Sequence, residues 1–535
     1  MSTSKTAENE EIPSRHWADH AADELLKIHP GKERFVCASG ISPSGMVHIG
    51  NFREVITVEF VVRSLRDRGK QVRFLYSWDD YDAFRKVPAN LPQKEVLEKN
   101  LRRPISEVPD VFGKAKSYAS YFEKVFEGDL APLGIQPNFI YQNEEYRSCK
   151  YAEGIKTALE NQADIVKILN AARTEDLPAD WWCVSIFCSG CGKDATVVQG
   201  YDAPYTLRYH CKICKADKQV NFQSEPGVKL LWRVDWPMRW AFENVDFEPG
   251  GKDHSSQGGS FQTGADIIRK VWKKEPPYYV QYDFVLAKGL GAKLSSSSGN
   301  LITLGEALEI YEPAVLRWIF ASRKPNLDFS IAFDLDVMRT YDDFDRCERF
   351  AFGAEEGEAK KASYEKRIYE LSCTTAPPAA LPAQFGFRHL CNQLQIQEGD
   401  IEKTLKMYED VCRTPLDKER FKSRASRAWK WISTFAPEDF RFTVRAAGAA
   451  IEKSTQPKAV GEVAALLESS KTADLTEDAL ASAVYEVMKA NGLDAKSFFP
   501  EVYRILVGKR NGPKLASFFQ AIGLKRSASL LRDAL

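Results

Sequence analysis

The 535-residue chain has no long apolar run and no excess of charge of either sign. No run approaches the ~18 apolar residues that a membrane-spanning helix needs, and the polar N-terminal stretch MSTSKTAENEEIPSR has no apolar segment of the secretory type. Lys and Arg total 74 and Asp and Glu total 74, so the chain has no net positive charge that would attract a polyanion. We therefore expect a cytoplasmic protein without membrane contact, which meets any polyanionic partner through local patches.

Paired cysteine spacings are also scarce. Seven of the 11 cysteines stand outside any paired motif, which predicts reduced core residues rather than a disulfide framework. The exceptions are Cys188-x-x-Cys191 and, 19 residues later, Cys211-x-x-Cys214. Four thiolates at this spacing favour a structural Zn²⁺ site of the ribbon type, for which Cys183 and His210 are nearby substitute ligands.

The first candidate site is a strand that runs into a Gly/Ser/Pro turn and then a helix. Phe35-Val-Cys37 predicts the strand, and Ser42 at the N-cap with Pro43 at the first helical position predicts a helix from Pro43 to about Arg68. Free N–H groups at such a helix start suit the phosphates of a nucleotide. The small residues Gly40, Ser42 and Gly45 let a ligand approach the backbone, and His48 and Asn51, three residues apart, are predicted to lie on one face near the phosphates. An ordinary strand-to-helix turn is the alternative.

A second strand at Lys70–Ser77 completes a parallel β-α-β unit, whose ligands bind at the carboxyl ends of the strands. Asp79, Asp80 and Asp82 follow it directly at that edge. They are candidate binding carboxylates, with solvated loop acids as the alternative.

The pattern predicts an α/β chain with a Rossmann-type parallel sheet, a zinc-ribbon-like insertion and an all-α region after it. The predicted segments are a tail and entry helix at 1–20, the catalytic domain at 21–330, the insertion at 180–225, a helical region at 331–378 and an all-α domain at 379–535. Trp240, placed at the end of a strand, is assigned to the core.

A second candidate motif lies in Ala287–Asn300, a Gly/Ser-rich loop that carries Lys288 and Lys293 after an apolar strand. A lysine on such a loop can neutralise charge that develops on departing pyrophosphate. A flexible linker is the alternative, although the helical signal at Leu304–Tyr311 directly afterwards favours a functional loop.

The two motifs together resemble the HIGH and KMSKS signatures of class I aminoacyl-tRNA synthetases, here His48-Ile-Gly-Asn51 and Lys293-Leu-Ser-Ser-Ser297. Over nearly the whole chain, GISPSGMVHIGNFRE, SWDDYDAFRKVP, WRVDWPMRW, GGKDH and GGSFQTG are similar to class I lysyl-tRNA synthetases. Two positions depart from the general class pattern: Asn51 replaces His, which the lysyl family tolerates, and Ser296 replaces Lys.

This resemblance implies ATP-dependent ligation of L-lysine to tRNA(Lys) through lysyl-adenylate, with Mg²⁺ accompanying ATP and transfer to the 2′-hydroxyl of the terminal adenosine. It makes 331–378 a stem-contact region and 379–535 the anticodon-binding domain, and we expect a monomer. The implied ATP-site residues are Pro43, Ser44, His48, Gly50, Asn51, Lys288, Lys293, Ser295, Ser296 and Ser297. Glutamyl enzymes are the nearest alternative; a small-molecule nucleotidylyltransferase and a non-catalytic tRNA-binding paralogue are the others.

A lysine pocket needs carboxylates for the ammonium group and aromatic walls for the aliphatic stem. The candidates for lysine and adenylate binding are Gly40, Ser42, Asp79, Asp80, Asp82, Trp232, Trp236, Gly250, Asp253, His254 and Tyr282, with core packing as the alternative for the tryptophans.

For tRNA, a basic helix at Asp417–Ile432 offers phosphate contacts and base stacking from Arg424, Arg427, Trp429 and Lys430. Its apolar face is predicted from Phe421, Ala425, Ala428 and Ile432. A merely solvated helix is the alternative.

Overall fold

The computed structural model describes residues 15–88, 91–289, 302–469, 472 and 474–535. The chain divides into two units. The first contains the residues up to Leu308, Pro313–Ile331 and Arg346–Ala379, and the second contains Glu309–Glu312, Ala332–Asp345 and Ala380–Leu535.

A parallel sheet forms the centre of the first unit. Its strands are β1 (Arg34–Ile41), β2 (Gln71–Trp78) and β3 (Asn138–Tyr141), in the order β1-β2-β3. On the other side of β1, Phe247 bridges Cys37 in parallel, and Tyr278 bridges Phe247 in the same sense. Segments that follow β1 in the sequence therefore pair with it on both sides, so the strand order reverses at β1. In open α/β sheets, ligands bind in the crevice at such a reversal of strand order. The predicted Rossmann-type sheet is confirmed.

Nine helices precede the second motif among the described residues of the first unit. Helix α2 (Ile49–Asp67) connects β1 to β2. Residues on all its sides, including Val55, Phe60 and Val61, are buried, because the sheet and neighbouring helices pack around it. The helices are α1 (Trp17–Ile28), α2 (Ile49–Asp67), α3 (Lys94–Lys99), α4 (Tyr118–Leu130), α5 (Gln142–Arg147), α6 (Ala152–Glu160), α7 (Gln162–Ala171), α8 (Trp232–Glu243) and α9 (Ser260–Ile267).

The predicted start of α2 at Ser42 and Pro43 is wrong. The helix begins at Ile49 with His48 as its N-cap, and the connection 42–47 has no regular secondary structure. Tyr118 donates its hydroxyl hydrogen to the Ser44 carbonyl at 2.8 Å, so a tertiary contact holds the turn away from helical geometry. The local capping signal of Ser42 is therefore overridden.

The insertion is a three-stranded antiparallel sheet beside a short two-stranded one. The strands are β4 (Val184–Ile186), β5 (Thr196–Asp202), β6 (Thr206–Cys211), β7 (Ala216–Asn221) and β8 (Val228–Leu230), with β5-β6-β7 forming one sheet and β4-β8 the other. The first cysteine pair follows β4, and the second pair forms the turn between β6 and β7.

Trp240 does not end a strand, since Trp232–Glu243 is helix α8 despite Pro237 inside it. Trp232, Trp236 and Trp240 recur every fourth residue and share one helix face, so their tertiary packing outweighs the cost of the proline. Trp240 is 2% exposed, as its assignment to the core predicted.

Short strands and helices complete the chain. The strands are β9 (Gly250–Gly251), β10 (Gln281–Tyr282), β11 (Val285–Lys288) and β12 (Phe329–Ala332), with β9 paired to β10 and β11 to β12. The helices are α10 (Leu304–Ile310), α11 (Pro313–Ala321), α12 (Asp336–Ala351), α13 (Ala359–Ser372), α14 (Phe387–Ile396), α15 (Ile401–Lys406), α16 (Pro415–Thr434), α17 (Pro457–Glu468), α18 (Glu477–Ala490), α19 (Ala495–Val507), α20 (Leu515–Ile522) and α21 (Leu524–Arg532).

Helices α17 to α21 enclose an apolar core that includes Val460, Leu506 and Phe519, all fully buried. The amphipathic pattern of the last third of the sequence predicted these helices. Within the described residues, no helix is both long and apolar enough to cross a bilayer.

Candidate active site

The start of helix α2 is a reciprocal capping arrangement between His48 and Asn51. The Gly50 N–H donates to His48 Nδ1 at 3.0 Å, and the His48 N–H donates to Asn51 Oδ1 at 3.2 Å. Both side chains are thereby fixed at the helix N-terminus, where the helix dipole favours a negative ligand. Burial lowers the pKa of His48, so its imidazole is neutral at neutral pH.

The second motif flanks this helix start. Residues 290–301, which include Lys293, Ser295, Ser296 and Ser297, lie outside the described residues. The residue that follows them, Ile302, accepts a hydrogen bond from the Ile49 N–H at 2.8 Å, and Thr303 bridges His48. On the other flank, Lys288 ends β11. The fold thus brings the chain around both motifs to the same helix end.

An outer cleft opens at this point and collects most of the predicted residues. Its lining includes Gly40, Ser42, His48, Gly50, Asn51, Asp79, Asp82, Trp232, Asp253, His254 and Tyr282. An inner pocket behind it shares Gly40, Asp79, Trp232 and His254 and adds Trp236 and Gly250. Pro43, Ser44, Asp80 and Lys288 line neither cavity.

The three predicted carboxylates differ in their surroundings. Asp79 pairs with Arg239 at 2.8 Å, and Asp82 pairs with Lys229 at 3.0 Å, so a protein cation already neutralises each of them. Asp80 accepts from the Asn143 N–H at 2.7 Å, and burial raises its pKa to about 7. Asp235 completes the network between Lys229 and Arg239.

Glu54 is a cleft residue that the sequence reasoning missed. Its carboxylate accepts from the Gly40 N–H at 2.8 Å and from the Tyr282 hydroxyl at 2.7 Å, and it lines both cavities. Among the described residues it forms no salt bridge, and burial raises its pKa to about 8 against the opposing effect of both hydrogen bonds. The sequence signal for Glu54 was its position three residues after Asn51, because residues three apart lie on the same face of a helix.

Three neighbouring indoles of helix α8 form an aromatic wall, in which Trp240 is tilted by 51° against Trp236. Trp232 and Trp236 stack with ring centroids 4.9 Å apart, and the His254 ring lies 5.8 Å from Trp232. Glu248 fixes the buried part of the stack, because its carboxylate accepts from Trp236 Nε1 at 2.9 Å and from Trp240 Nε1 at 2.6 Å. Trp232 is 37% exposed and is the indole that a ligand in the outer cleft can reach.

Gly250 packs so closely that no side chain fits there. A Cβ atom on it would lie 2.2 Å from the Tyr279 hydroxyl, so the backbone at the floor of the inner pocket requires glycine. The predicted Gly250 therefore acts through close packing of its backbone.

The site therefore contains a helix N-terminus suited to phosphate, an aromatic wall, and an acid, Glu54, that pairs with no cation in the part of the chain that the structure describes. A family model described as tRNA synthetases class I (K) matches residues 15–375, and one described as anticodon binding domain matches 400–535. The chain belongs to the class I lysyl-tRNA synthetase family.

Full-length relatives agree with this family. The lysine–tRNA ligase of Treponema pallidum (strain Nichols) is 43% identical over 97% of this chain and 98% of its own. That of Borreliella burgdorferi is 44% identical over 96% and 98%, and that of Pyrococcus horikoshii is 39% identical over 95% and 97%. The resemblance stated from the motifs is confirmed.

The insertion of this family member carries a four-cysteine cluster. Sγ atoms of Cys188, Cys191, Cys211 and Cys214 all lie within 4.8 Å of one another. The Gly190 N–H and the Cys214 N–H each donate to a cysteine sulfur at 3.3 Å, an arrangement that favours thiolates. This all-sulfur donor set fits a tetrahedral ion such as Zn²⁺. Cys183 is buried outside the cluster, and His210 pairs with Asp217 at 2.9 Å, so neither serves as the substitute ligand considered from sequence.

The prediction that Arg424 contacts tRNA is wrong. Arg424 is 1% exposed and pairs with Glu312 at 2.8 Å and with Asp345 at 2.7 Å. A buried guanidinium with two carboxylate partners stabilises the second unit and cannot reach a phosphate of the tRNA. The helical period places Arg424 on the apolar face of Phe421, Ala425 and Ala428, which was a sequence signal for its burial, whereas its acidic partners are distant in sequence.

The other predicted tRNA residues on α16 also have protein contacts. Arg427 donates to the Tyr311 carbonyl at 3.1 Å, and Lys430 pairs with Glu309 at 2.8 Å on the surface. The Trp429 ring packs on Gly399, where a Cβ atom would lie 2.3 Å from the indole. The predicted apolar face is confirmed, since Phe421, Ala425, Ala428 and Ile432 are buried.

Proposed function

We propose that this protein ligates L-lysine to tRNA(Lys) by forming lysyl-adenylate from lysine and ATP and then transferring the lysyl group to the 2′-hydroxyl of the terminal adenosine. The observation that carries the proposal is Glu54, an acid without a cation partner among the described residues, between the capped helix and the aromatic wall. Membership of the lysyl family supports the same choice of amino acid.

ATP binds with its phosphates at the start of α2. The helix N-terminus, the His48 ring and the Asn51 amide face the triphosphate, and Asp253 and His254 border the adenylate. Lys293, with help from Lys288, neutralises pyrophosphate as it leaves, and Ser295, Ser296 and Ser297 of the same motif contribute to ATP binding. Mg²⁺ accompanies ATP and adds charge neutralisation.

Adenylate formation is an in-line displacement. A lysine carboxylate oxygen attacks the α-phosphorus, an oxygen–phosphorus bond forms, and the bond to pyrophosphate breaks. The backbone near Gly40 and Ser42 holds the amino acid, so catalysis rests on positioning and on charge stabilisation. In the second step the terminal 2′-hydroxyl attacks the activated carbonyl, and AMP leaves.

Lysine binds with its ammonium at Glu54 and its aliphatic stem along Trp232, while Trp236 and Tyr282 complete the walls. A charged ammonium beside Glu54 stabilises the ionised carboxylate, which burial otherwise disfavours. Asp79, Asp80 and Asp82, the carboxylates first proposed for this role, suit it less well, because Asp79 and Asp82 pair with Arg239 and Lys229 and Asp80 lines neither cavity. The match to the lysyl family argues against the glutamyl alternative.

The four-cysteine cluster holds a structural Zn²⁺. With four protein ligands the ion has no open position, so it stabilises the insertion and takes no part in the reaction. Cytoplasmic location and a monomeric state stay predictions, as do the domain limits given from sequence and the tRNA contacts of Arg427, Trp429 and Lys430.

Amino-acid-dependent exchange of radiolabelled pyrophosphate into ATP tests the function, measured with and without tRNA. Exchange that needs lysine, followed by lysine-dependent charging of tRNA(Lys), is the expected result. Exchange with glutamate would redirect the proposal to a glutamyl enzyme. No exchange in either condition would show a paralogue without catalytic activity.

A further inference from the structure

Arg53 is a buried cation of helix α2 that the proposed mechanism does not use. It follows Asn51 by two residues, is 2% exposed and lines neither cavity of the active site. Burial lowers its pKa to about 10, so it is charged at neutral pH, and in the described part of the chain it forms no salt bridge. A buried charge without an ion partner is unfavourable unless hydrogen bonds compensate for it.

The guanidinium group of Arg53 finds that compensation in four backbone carbonyls. Nη1 donates to the Phe284 carbonyl at 3.1 Å. Nη2 donates to the carbonyls of Lys324, Pro325 and Leu327 at 3.1, 2.6 and 2.7 Å, so one of its two hydrogens is shared between acceptors. One side chain thus joins two segments that are about forty residues apart in the sequence to the helix that carries the first motif.

The two segments belong to one structural element. The first precedes strand β11 and the second precedes β12, and the two strands pair with each other. The Asp283 N–H donates to the Pro325 carbonyl at 2.9 Å, and the Arg53 guanidinium carbon lies 4.8 Å from the centroid of the Phe329 ring. Residues 282–285 of this element line the outer cleft.

The start of α2 forms another wall of the same cleft. His48, Gly50, Asn51 and Glu54 line it, and Gly50 approaches the β11 wall so closely that a Cβ atom on it would lie 3.9 Å from the Val285 carbonyl. Arg53 therefore lies behind the cleft and connects two of its walls. Its side chain fixes the distance between groups on the two walls without touching a ligand.

We propose that Arg53 is a positioning residue for adenylate formation, which holds the 282–285 wall at a fixed distance from the start of α2. The proposal rests on the proposed function, because it concerns the same reaction. Either substrate alone can adapt to a wall that has moved. The transition state needs the lysine carboxylate and the α-phosphorus in line at one separation, and a displacement of about 1 Å can cost on the order of a hundred-fold in rate.

Kinetics of lysine-dependent pyrophosphate exchange by the full-length enzyme test this role. Arg53→Met removes all four hydrogen bonds and should lower kcat roughly 10- to 100-fold, while the KM values for lysine and ATP change less than about three-fold. Arg53→Lys retains the charge but has one donor nitrogen in place of the two that hold the two segments. Its kcat should lie between those of wild type and Arg53→Met.

A binding measurement separates positioning from the chemical step. Titration calorimetry with ATP, with lysine and with lysyl-sulfamoyl adenosine, a stable analogue of lysyl-adenylate, gives three affinities for each enzyme. Arg53→Lys should bind the analogue about ten-fold or more weakly than wild type, because the analogue holds both halves at one separation. Its affinities for ATP alone and for lysine alone should change less than about three-fold.

Arg63→Met is the matched control for lost stability. Arg63 also lies on α2, donates to the Thr374 carbonyl at 3.2 Å and to Glu59 at 2.8 Å, and lines neither cavity. Its replacement should lower the melting temperature, as Arg53→Met does, but leave kcat and the affinity for the analogue at wild-type values.

Arg53→Lys with wild-type kcat and wild-type affinity for the analogue would overturn this inference, as would equal kinetic effects of Arg53→Met and Arg63→Met. Both results leave the proposed function intact, because the wild-type enzyme still activates lysine. Absence of lysine-dependent exchange in the wild-type enzyme would instead overturn the proposed function.

Discussion

Tyr282 donates its hydroxyl hydrogen to Glu54 at 2.7 Å, from a short strand on the opposite side of the cleft to helix α2. The other carboxylate oxygen of Glu54 accepts from the Gly40 N–H at 2.8 Å. These two bonds hold the carboxylate in place at the point where the outer cleft meets the inner pocket. The acid is therefore positioned before any ligand binds, and preorganised charge of this kind is what a small cationic side chain needs.

Replacing Glu54 by Gln should raise the KM for lysine by roughly 10- to 100-fold, since a charge-assisted hydrogen bond contributes about 1.5–3 kcal/mol. The amide still accepts from the Gly40 N–H, so folding should be retained. Lysine-dependent exchange measures the change, and the KM for ATP should stay near the wild-type value. Glu243→Gln is the control, because Glu243 lines the inner pocket but pairs with Arg73 at 2.6 Å. Equal effects of the two substitutions would contradict the role of Glu54.

Lysine affinity should depend on pH through Glu54. Burial raises the pKa of Glu54 to about 8, with smaller raising effects from Glu248 and Asp79. Below pH 8 the empty site is protonated, so binding of the ammonium must release that proton. The dissociation constant for lysine should therefore fall up to ten-fold per pH unit as pH rises towards 8, and then level off.

Titration calorimetry at several pH values, in buffers of different ionisation enthalpy, measures both the affinity and the released proton. Glu54→Gln should show a flat profile over the same range. A wild-type profile that is equally flat would mean that Glu54 does not titrate on binding.

Glu248 should position the aromatic wall. Its carboxylate accepts from two indole N–H groups, whereas an amide in Glu248→Gln can accept from one and must face the other with its own N–H. We expect a loss of about 1–3 kcal/mol in the free energy of unfolding and a higher KM for lysine with little change in the KM for ATP. Urea unfolding followed by tryptophan fluorescence and lysine-dependent exchange measure the two effects.

Glu127→Gln is the matched control for Glu248. Glu127 also accepts from two aromatic donors, Trp78 Nε1 and the Tyr141 hydroxyl, both at 2.9 Å, but it lines neither cavity of the active site. It should lower stability by a similar amount and leave the KM for lysine unchanged. If both variants raise that KM alike, the effect of Glu248 is one of stability alone.

The four-cysteine cluster predicts about one zinc ion per chain by elemental analysis, because four thiolates complete one tetrahedral site. Cys211→Ser should lose the metal and make 180–225 sensitive to protease. Cys183→Ser, a buried cysteine outside the cluster, should keep the metal. Full metal content in Cys211→Ser would exclude the proposed site.

The sequence predicted this fold well where local patterns coincide with tertiary packing. The strands at Phe35–Cys37 and Lys70–Ser77 are β1 and β2, and two Cys-x-x-Cys motifs meet in space because their spacing matches the ribbon. Periodicity also predicted the helical last third, since an amphipathic face is visible in sequence alone.

The features that the sequence did not predict depend on contacts between residues that lie far apart in the sequence. Ser42 is a good local N-cap, but the Tyr118 hydroxyl holds Ser44 in the non-helical turn and His48 caps the helix. Arg424 lies on the same helix face as Phe421, but its role as a buried cation is visible only when Glu312 and Asp345 are placed beside it. Glu54 looks like a helix-surface acid until Gly40 and Tyr282 enclose it.

Asn51 combines a structural and a functional role that substitution can separate. Its Oδ1 caps the helix by accepting from the His48 N–H at 3.2 Å, and its side chain lines the outer cleft. Asn51→Asp retains the acceptor and adds a negative charge at the helix N-terminus, so stability should be unchanged or rise by about 0.3–1 kcal/mol. The same charge faces the triphosphate, so the KM for ATP should rise roughly ten-fold or more, since 1.4 kcal/mol of repulsion gives that factor.

Asn51→Ala loses the cap, so it should lower the free energy of unfolding by about 1 kcal/mol and change the KM for ATP less than Asn51→Asp does. Thermal unfolding and exchange at varied ATP separate the two roles, and an Asn51→Asp enzyme with wild-type KM for ATP would leave Asn51 with the capping role alone.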